Sequence, residues 1–380
     1  MLQASSVLVV GGGLTGSVAS RALCRLLPVG SKVIVWEALD VIGGRFHTET
    51  TADGSGLCDT GAQYVTVTDD ADAAAANAPL YDELTSAGIL VPMRGRIEGG
   101  RAADGAGANY VAPAGLSSVV SHLFASSGVE PIFGRRAVRV ATASSKWEVS
   151  SADGVTERFD GIILTQPLPE MLQLLDASDE PSAWLPEEDG ASDAGCLSRS
   201  AMRSIQYSSR YALTMFFPPE VSATFSSEID WIARYITKAE DDAIVYLGHD
   251  SAKRQQGDHG GSASLVSLIV HTSVPYGLKK IGANAGDEEV TNDLKERVQK
   301  LLPWLPPPQS SVLRTWRVSQ VRTPLALPGK AACWPLRPGG EVSAPPLILA
   351  GDAFAPLGSR FDGCVQSGEG AAEALRMALL

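Results

Sequence analysis

The apolar positions of the chain predict two kinds of β-strand. Short segments with a continuous apolar stretch, at residues 7–10, 32–36, 159–166 and 347–350, are typical of strands buried on both faces of a parallel sheet. Other segments alternate or run apolar as antiparallel strands do. These segments are residues 207–218, 231–237, 243–249 and 265–272. The pattern therefore predicts an α/β protein with a parallel sheet and a second, largely antiparallel sheet.

Helices are predicted between these groups of strands. Residues 14–27 have helical character, and residues 115–128 and 288–302 place apolar side chains on one face at helical spacing. Residues 250–261, in contrast, are typical of a polar, glycine-containing turn between two strands. We expect three histidines, on a helix or at turns, to be solvated: His122, His249 and His259.

The first strand leads directly into a glycine fingerprint for a dinucleotide. Gly11, Gly13 and Gly16 fall at the G-x-G-x-x-G spacing, with Thr15 in the same turn. This spacing permits a tight turn, a close approach of the backbone to a pyrophosphate, and close packing of the helix that follows. Glu37 ends the second strand about 20 residues later, where a carboxylate accepts the ribose hydroxyls of an adenosine. The opening of the chain therefore predicts a dinucleotide site.

Composition and charge narrow the class of protein. A chain of 380 residues is long enough for two domains with a sizeable core. The formal net charge of −12 argues against nucleic-acid binding and against binding to an anionic membrane surface. No apolar run approaches the roughly 18 residues of a membrane-spanning helix, and no metal cluster is indicated. The sequence leaves the oligomeric state open, and a monomer is our expectation.

The cysteines and the N-terminus bear on the compartment. The five cysteines are odd in number and widely spaced, without a C-x-x-C pair, so we expect free thiols in a reduced compartment. No basic region precedes the first apolar run, and that run is itself the first strand of the nucleotide fold. We therefore expect no cleavable signal and a cytoplasmic location, with secretion by another route left open.

Two segments after the fingerprint favour FAD over a nicotinamide cofactor. Gly44 and Arg45 belong to a G-G-R element that resembles the one in FAD-containing amine oxidases, in which the arginine meets the phosphates of the cofactor. Gln63 and Tyr64 belong to a G-A-Q-Y segment that resembles one running beside the flavin ring in the same superfamily. Both segments are expected to contact the cofactor.

The last apolar strand carries a second FAD signature. It ends in Gly351 and Asp352, and Asp352 would accept a hydrogen bond from a ribityl hydroxyl. The helix after Gly363, which contains Val365, would direct its N-terminus at the flavin N1 and C2 carbonyl, where negative charge appears on reduction. In FAD proteins of this type, backbone near Val138 contacts the adenine. Together with the opening fingerprint, these features predict FAD as the cofactor.

Longer segments carry a closer resemblance. They include GAQYVT (61–66), YSSRYAL (207–213), VHTSVPYG (270–277), WRVSQV (316–321) and FDGC (361–364). They occur in the same order in the renalase family, a group of small flavoproteins in the FAD-dependent amine-oxidase superfamily, which the chain resembles over nearly its whole length.

The resemblance implies a fold class and a domain organisation. The fold is α/β, with a two-domain, FAD-binding, Rossmann-type architecture of the p-hydroxybenzoate hydroxylase and amine-oxidase kind. A mixed, largely antiparallel sheet forms the substrate domain. We expect a discontinuous FAD-binding domain at residues 1–78, 112–175 and 336–380. The substrate domain then comprises residues 79–111 and 176–335.

The resemblance also implies a reaction. Renalases oxidise the 2- and 6-dihydro isomers of NAD(P) to β-NAD(P)+ by hydride transfer to FAD, and O2 reoxidises the flavin to give H2O2. Tyr235, His271 and Trp316 are implied to lie near the flavin and to position the dihydronicotinamide dinucleotide; the alternative for each is a role in the core. Two other functions stay open: an FAD-dependent amine oxidase, and a non-catalytic flavoprotein with an interaction role.

Overall fold

The chain divides into two compact units. The structure, a computed structural model, describes residues 4–99, 108–178, 184–188, 197–255, 264–336 and 344–380. Unit 1 comprises Met1–Gly44, Val120–Gln206 and Gln320–Leu380, and unit 2 comprises Arg45–Val119 and Tyr207–Ser319.

Unit 1 is built on a six-stranded sheet. In spatial order its strands are Cys333–Leu336 (β19), Leu347–Ala350 (β20), Gly161–Leu164 (β13), Ser6–Val10 (β1), Lys32–Trp36 (β2) and Pro131–Ile132 (β9). All neighbouring strands are parallel except the β19–β20 pair. The side chains of Val7, Leu8 and Val9 on β1 are fully buried. The continuous apolar runs therefore mark the centre of a parallel sheet, as predicted.

Helices and a small antiparallel sheet complete unit 1. The small sheet comprises Ala137–Ala143 (β10), Lys146–Ser151 (β11) and Thr156–Phe159 (β12). The helices are Leu14–Leu26 (α1), Ser117–Ser127 (α3, in this unit from Val120 onward), Leu168–Asp176 (α4), Arg199–Ser204 (α5) and Phe361–Ala378 (α10). Helix α10 packs closely on α1, because a Cβ added at Gly368 would lie 2.8 Å from the Thr15 carbonyl oxygen.

Unit 2 is built on a second six-stranded sheet. In spatial order its strands are Ser310–Trp316 (β18), Arg210–Phe217 (β14), Val266–Thr272 (β17), Ile244–His249 (β16), Trp231–Tyr235 (β15) and Arg96–Glu98 (β7). Neighbouring strands are antiparallel except for β15 and β7. One face buries Leu213 and Met215 of β14 in a cluster with Val290, Leu294 and Val298. The predicted antiparallel sheet is therefore confirmed.

Shorter elements surround this sheet in unit 2. The strands are Thr48–Thr50 (β3), Leu57–Asp59 (β4), Val65–Thr66 (β5), Val91–Pro92 (β6) and Asn109–Val111 (β8). The helices are Ala71–Ser86 (α2), Ser222–Glu228 (α6), Asp250–Arg254 (α7), Val274–Gly282 (α8) and Asp287–Leu301 (α9). A short 3-10 turn occurs at Pro219–Val221 in unit 2, another at Pro328–Lys330 in unit 1, and a third at Gly44–Phe46, where the chain passes from unit 1 to unit 2.

The unit boundaries differ from the predicted domain boundaries. Residues 45–78 and 112–119 lie in unit 2 rather than with the FAD-binding segments, and residues 176–206 and 320–335 lie in unit 1. Long-range pairing explains part of the difference, since Lys253 Nζ, in the predicted substrate domain, lies 3.3 Å from Asp59 Oδ2. Such contacts between distant segments leave no signal in local composition.

Two local expectations need correction. Residues 250–254 form helix α7 and contain buried charged side chains rather than a solvated turn, while residues 256–261 lie outside the described residues. His249 is partly buried on β16 and its ring centroid lies 4.9 Å from that of Phe225. Both features depend on tertiary packing, which the local polar pattern does not report. His259 also lies outside the described residues.

Two further observations concern cysteines and membranes. Cys24, Cys58 and Cys333 are free thiols, and Cys196 lies outside the described residues. Within the part of the chain that the structure describes, no helix combines the length and the hydropathy that a membrane span requires.

Candidate cofactor site and aromatic face

The turn from β1 into α1 forms a backbone cradle in unit 1. Gly11 has a φ of +114°, a conformation that favours glycine, and a Cβ there would lie 2.6 Å from Thr165 Oγ1. A Cβ at Gly16 would lie 1.9 Å from the Gly11 carbonyl oxygen. Gly13 is the N-cap of α1 and presents no side chain. This loop and the helix N-terminus fit a pyrophosphate.

Glu37 is held in place beside this loop. Its Oε2 accepts a hydrogen bond of 2.7 Å from the Gly12 backbone N–H, and its Oε1 accepts one of 2.8 Å from the Leu39 N–H. The side chain is buried. Each carboxylate oxygen has two lone pairs, so both retain capacity for ribose hydroxyls.

The G-G-R element adjoins the same loop through its glycines. The Gly43 N–H donates to the Gly12 carbonyl oxygen at 3.0 Å, and a Cβ on Gly44 would lie 3.4 Å from Gly13 Cα. Arg45 lies in unit 2, where its Nη1 donates to the Ser319 carbonyl oxygen at 3.2 Å. The two glycines therefore form part of the cradle, as their small size allows.

The second FAD signature reaches the same edge of the unit 1 sheet. A Cβ on Gly351 would lie 3.6 Å from the carbonyl oxygen of Thr165, the residue that also adjoins Gly11. Asp352 is buried, and its Oδ2 accepts a hydrogen bond of 2.6 Å from Ser359 Oγ. A Cβ at Gly363 would lie 2.7 Å from the Gly358 carbonyl oxygen. The strand end and the start of α10 are thus tightly fixed.

The remaining cofactor residues of unit 1 differ in exposure. Thr15 and Val365 are buried in α1 and α10, and Val138 on β10 is 39% exposed. An exposed apolar residue on a nucleotide-binding unit is consistent with contact to an adenine. The cradle, the Glu37 carboxylate, Asp352 and the two helix N-termini together fit FAD, and these residues would hold its adenosine, pyrophosphate and ribityl groups.

Unit 2 carries a row of polar aromatic side chains on one face of its sheet. Tyr235 pairs with Tyr246, and Tyr246 pairs with His271, across β15, β16 and β17. The ring centroids of these successive neighbours lie 5.3 Å and 5.6 Å apart. Trp316 belongs to the same face by register, since it pairs with Arg210, two residues before the partner of His271. We call these four aromatic residues and this side of the sheet the aromatic face.

Hydrogen bonds orient the aromatic face. The hydroxyls of Tyr64 and Tyr235 lie 2.8 Å apart, and Trp316 Nε1 donates to the Thr60 carbonyl oxygen at 2.9 Å. Gln63 Nε2 lies 3.4 Å from His271 Nε2. The structure thus brings the predicted residues Gln63, Tyr64, Tyr235, His271 and Trp316 together within unit 2.

His271 is a neutral imidazole over the physiological pH range. Burial, and to a smaller extent the positive charges of Arg210 and Lys253, lower the pKa of His271 to about 3, while a hydrogen bond to the Thr60 backbone opposes them. Its ring therefore offers one donor and one acceptor rather than a positive charge.

Two arginines flank Trp316. Arg210 lies opposite Trp316 in the pairing of β14 with β18, and its Nη1 donates to the Thr272 carbonyl oxygen at 3.2 Å. Arg314 Cζ lies 5.7 Å from the Trp316 ring centroid. Arg314 Nη2 also lies 2.9 Å from His47 Nε2 and 3.3 Å from Glu49 Oε2. Arg210, Arg314 and Glu49 together contribute a net charge of +1 at this end of the aromatic face.

Neither these arginines nor a buried set of charges in unit 2 was predicted from the sequence. Arg210 sits in the segment YSSRYAL, but a single arginine at the start of a strand has no distinctive spacing. Lys253 and Arg254 follow Asp250 at i+3 and i+4 on α7, and this spacing was the available signal. It lay inside a segment that the polar pattern assigned to a turn.

Fold and site define a class of protein: an FAD-dependent oxidoreductase. The model of the flavin containing amine oxidoreductase family matches residues 93–376, and that of an NAD(P)-binding Rossmann-like domain matches residues 9–84. The chain is 31% identical to the renalase of Mus musculus over 366 residues, which cover 96% of each protein. The chain belongs to the renalase family of the flavin-containing amine oxidoreductases, and its cofactor is FAD.

Solved structures of other flavin oxidases share the fold. A candidate protoporphyrinogen oxidase from Exiguobacterium sp. 255-15 aligns with a TM-score of 0.69 at 13% identity, covering 99% of this chain and 100% of that one. A variant of putrescine oxidase aligns with a TM-score of 0.62 at 13% identity, covering 98% of each chain. At these identities the likeness concerns the fold alone, and it confirms the predicted fold class.

Proposed function

We propose that this protein oxidises the 2- and 6-dihydro isomers of NAD(P) to β-NAD(P)+. Bound FAD supplies a hydride acceptor that O2 reoxidises, with H2O2 as the product. The similarity to a renalase supports this substrate class. The charges on the aromatic face are the structural observation that favours it over an amine.

The positive end of the aromatic face suits an anionic substrate. Arg210 and Arg314 flank Trp316, and a dinucleotide carries a pyrophosphate that guanidinium groups bind by charge-assisted hydrogen bonds. A protonated amine would instead be repelled by these side chains. We assign Arg210 and Arg314 to the pyrophosphate of the substrate, and Trp316 to its dihydropyridine ring.

The neutral His271 suits a reaction that needs no general base. A dihydropyridine becomes an aromatic pyridinium when it loses a hydride, so no proton has to be removed with it. The protein then has to orient the ring and exclude competing reactions. Tyr235, His271 and Trp316, each held by a hydrogen bond within unit 2, are proposed to perform this orientation.

Stopped-flow reduction of the flavin without O2 tests the proposal. We expect fast bleaching by the 2- or 6-dihydro isomers, with a rate constant that varies little between about pH 6 and 8, because no ionisation is required. Bleaching by amines alone, with a rate that rises toward the pKa of the amine, would overturn the proposal and identify an amine oxidase. The absence of bleaching by both classes would indicate a non-catalytic flavoprotein.

Replacing Arg210 tests the pyrophosphate assignment. We expect Arg210→Met to weaken binding of the dinucleotide roughly 10- to 100-fold, because a charge-assisted hydrogen bond contributes about 1.5–3 kcal/mol. The dissociation constant comes from the concentration dependence of anaerobic bleaching. The matched control is Arg317→Met. This change removes an exposed arginine that directly follows Trp316, the last residue of β18.

A shortened substrate provides a second test of the pyrophosphate assignment. A dihydronicotinamide riboside carries the reacting ring without the pyrophosphate, so its binding should be nearly the same for wild type and Arg210→Met. An equal loss of affinity for the riboside and the dinucleotide would contradict the assignment of Arg210 to the pyrophosphate.

A further inference from the structure

Four ionisable side chains are buried together in unit 2. We call Asp59, Asp250, Lys253 and Arg254 the ion quartet. Their side chains are between 0% and 4% exposed. Lys253 Nζ lies 2.7 Å from Asp250 Oδ1 and 3.3 Å from Asp59 Oδ2, and Arg254 Nη2 lies 2.7 Å from Asp250 Oδ2. Two positive and two negative groups balance one another, so the quartet is formally neutral.

Lys253 connects the ion quartet to Gln63. The three N–H bonds of its ammonium meet three acceptors: Asp250 Oδ1, Asp59 Oδ2 and, at 3.5 Å, Gln63 Oε1. An ammonium group can only donate hydrogen bonds, so the atom of the Gln63 amide that faces Lys253 must be its oxygen.

The contacts of the Gln63 amide nitrogen support the same orientation of the amide. Gln63 Nε2 lies 2.6 Å from the Asp59 carbonyl oxygen and 3.2 Å from the Gly61 carbonyl oxygen, and carbonyl oxygens can only accept. The hydrogen-bond partners on both sides therefore determine which end of the amide carries the oxygen and which carries the nitrogen. The NH2 group faces His271 Nε2, at 3.4 Å.

This orientation favours one tautomer of His271. The amide has two N–H bonds: one donates to the Asp59 carbonyl oxygen, and the other is shared between the Gly61 carbonyl oxygen and His271 Nε2. A proton on Nε2 would place two donors against each other, so the proton of the neutral ring belongs on Nδ1. The ring also hydrogen-bonds the Thr60 backbone, to which Nδ1–H can donate. Trp316 Nε1 donates to the Thr60 carbonyl oxygen, so both side chains hydrogen-bond the backbone of this residue.

We infer that Lys253 is a positioning residue, which fixes the tautomer and orientation of His271 through the side-chain amide of Gln63. The ion quartet holds this ammonium group in a buried place without net charge. The charged groups that face His271 are Arg210, Lys253 and Asp250, and the neighbouring hydroxyl groups are those of Tyr235 and Tyr246. The inference rests on the proposed function only for the role of His271 toward substrate.

The test compares two variants by ¹⁵N NMR of histidine-labelled holoenzyme. Lys253→Met alone leaves Asp59 without its cation, so it is compared with Lys253→Met/Asp59→Asn, which restores charge balance and keeps the Asp250–Arg254 pair. We expect His271 of the wild type to show a single Nδ1–H tautomer without titration from pH 5 to 8. Both variants should show mixed tautomers, and the double variant should recover most of the lost thermal stability.

Flavin reduction supplies a second measurement on the same proteins. The rate constant of anaerobic reduction should fall roughly 10-fold or more in the double variant, because a misplaced group loses rate through orientation. A double variant with the wild-type His271 tautomer would overturn the inference. If no dihydronicotinamide reduces the wild type while the tautomer changes as expected, the proposed function fails and the positioning role of Lys253 stands.

A control addresses general destabilisation of unit 2. Arg297 forms ion pairs with Asp241, Asp242 and Asp293 away from the aromatic face. Arg297→Met should lower the thermal midpoint without changing the His271 spectrum. A changed spectrum in this control would show that the NMR signal reports stability rather than a specific contact, and it would also contradict the inference.

Discussion

At the residue scale, Glu37 is a predicted ribose-binding residue whose carboxylate is held in place by the fold. One carboxylate oxygen accepts from the Gly12 N–H at 2.7 Å and the other from the Leu39 N–H at 2.8 Å. These bonds tie the end of β2 to the glycine loop after β1. The carboxylate is therefore oriented before a ribose arrives, which reduces the entropy lost on binding.

Replacing Glu37 should weaken FAD binding. In Glu37→Ala the ribose hydroxyls lose a charged acceptor worth about 1.5–3 kcal/mol, so we expect a roughly 10- to 100-fold higher dissociation constant. Fluorescence titration of apoprotein with FAD measures it, and the ratio of flavin to protein after purification is a second reading. Glu170→Ala, at an acid on α4 that is about half exposed, is the control and should retain flavin. Undiminished affinity in Glu37→Ala would contradict the assignment.

At the element scale, the contact between α1 and α10 depends on a glycine. A Cβ on Gly368 would lie 2.8 Å from both the Thr15 carbonyl oxygen and the Val18 side chain. Gly370, two residues further along α10, has only the sulfur of Cys333 at 3.8 Å. Both helices begin at the predicted FAD-binding loops, so their spacing should affect the cofactor as well as the core.

This pair of glycines gives a matched test. Gly368→Ala should destabilise unit 1 by about 1–3 kcal/mol through overpacking, and it should also reduce flavin retention. Gly370→Ala should be neutral or stabilising by up to about 1 kcal/mol, because alanine is the better helix former. Thermal unfolding with excess FAD measures both. Equal midpoints for the two variants would show that the α1–α10 contact tolerates an added methyl group.

Features within one βα unit could be predicted from the sequence more readily than features that depend on several strands. The loop after β1, Glu37, and the Gly351–Asp352 strand end were predictable because each depends on local spacing within one βα unit. The grouping of Tyr235 with His271 depends on the register of three strands, and only family resemblance suggested it. Their role toward substrate remains a prediction.

The burial of the ion quartet could not be predicted from the local sequence pattern, for a physical reason. Asp250 and Lys253 lie in a polar stretch of sequence, and a polar stretch predicts a solvent-exposed segment. Their burial follows from pairing with Asp59, which lies far away in sequence, and from the packing of α7 against β17 and β4. Charge pairs of this kind become visible only when the chain has folded.

At the scale of the whole molecule, acid stability should reflect a buried histidine. Burial lowers the pKa of His249 to about 4, and the nearby negative charge of Asp250 opposes this shift. An unfolded histidine has a pKa near 6.5. Between these values the unfolded chain binds a proton that the folded chain excludes, so stability falls as the pH decreases from about 6.5 to 4.

The loss from His249 should be measurable by thermal unfolding of the holoenzyme with excess FAD. At pH 5 it is about 2 kcal/mol, since each pKa unit corresponds to about 1.36 kcal/mol. For a unit of this size, a loss of that magnitude lowers the thermal unfolding midpoint by roughly 4–8 °C. In His249→Gln the decrease from pH 7 to pH 5 should be smaller by that amount, whatever the midpoint at pH 7. Ser222→Ala, a neutral change on α6, should keep the wild-type pH dependence. A His249→Gln variant with the full wild-type decrease would show that other groups govern acid unfolding.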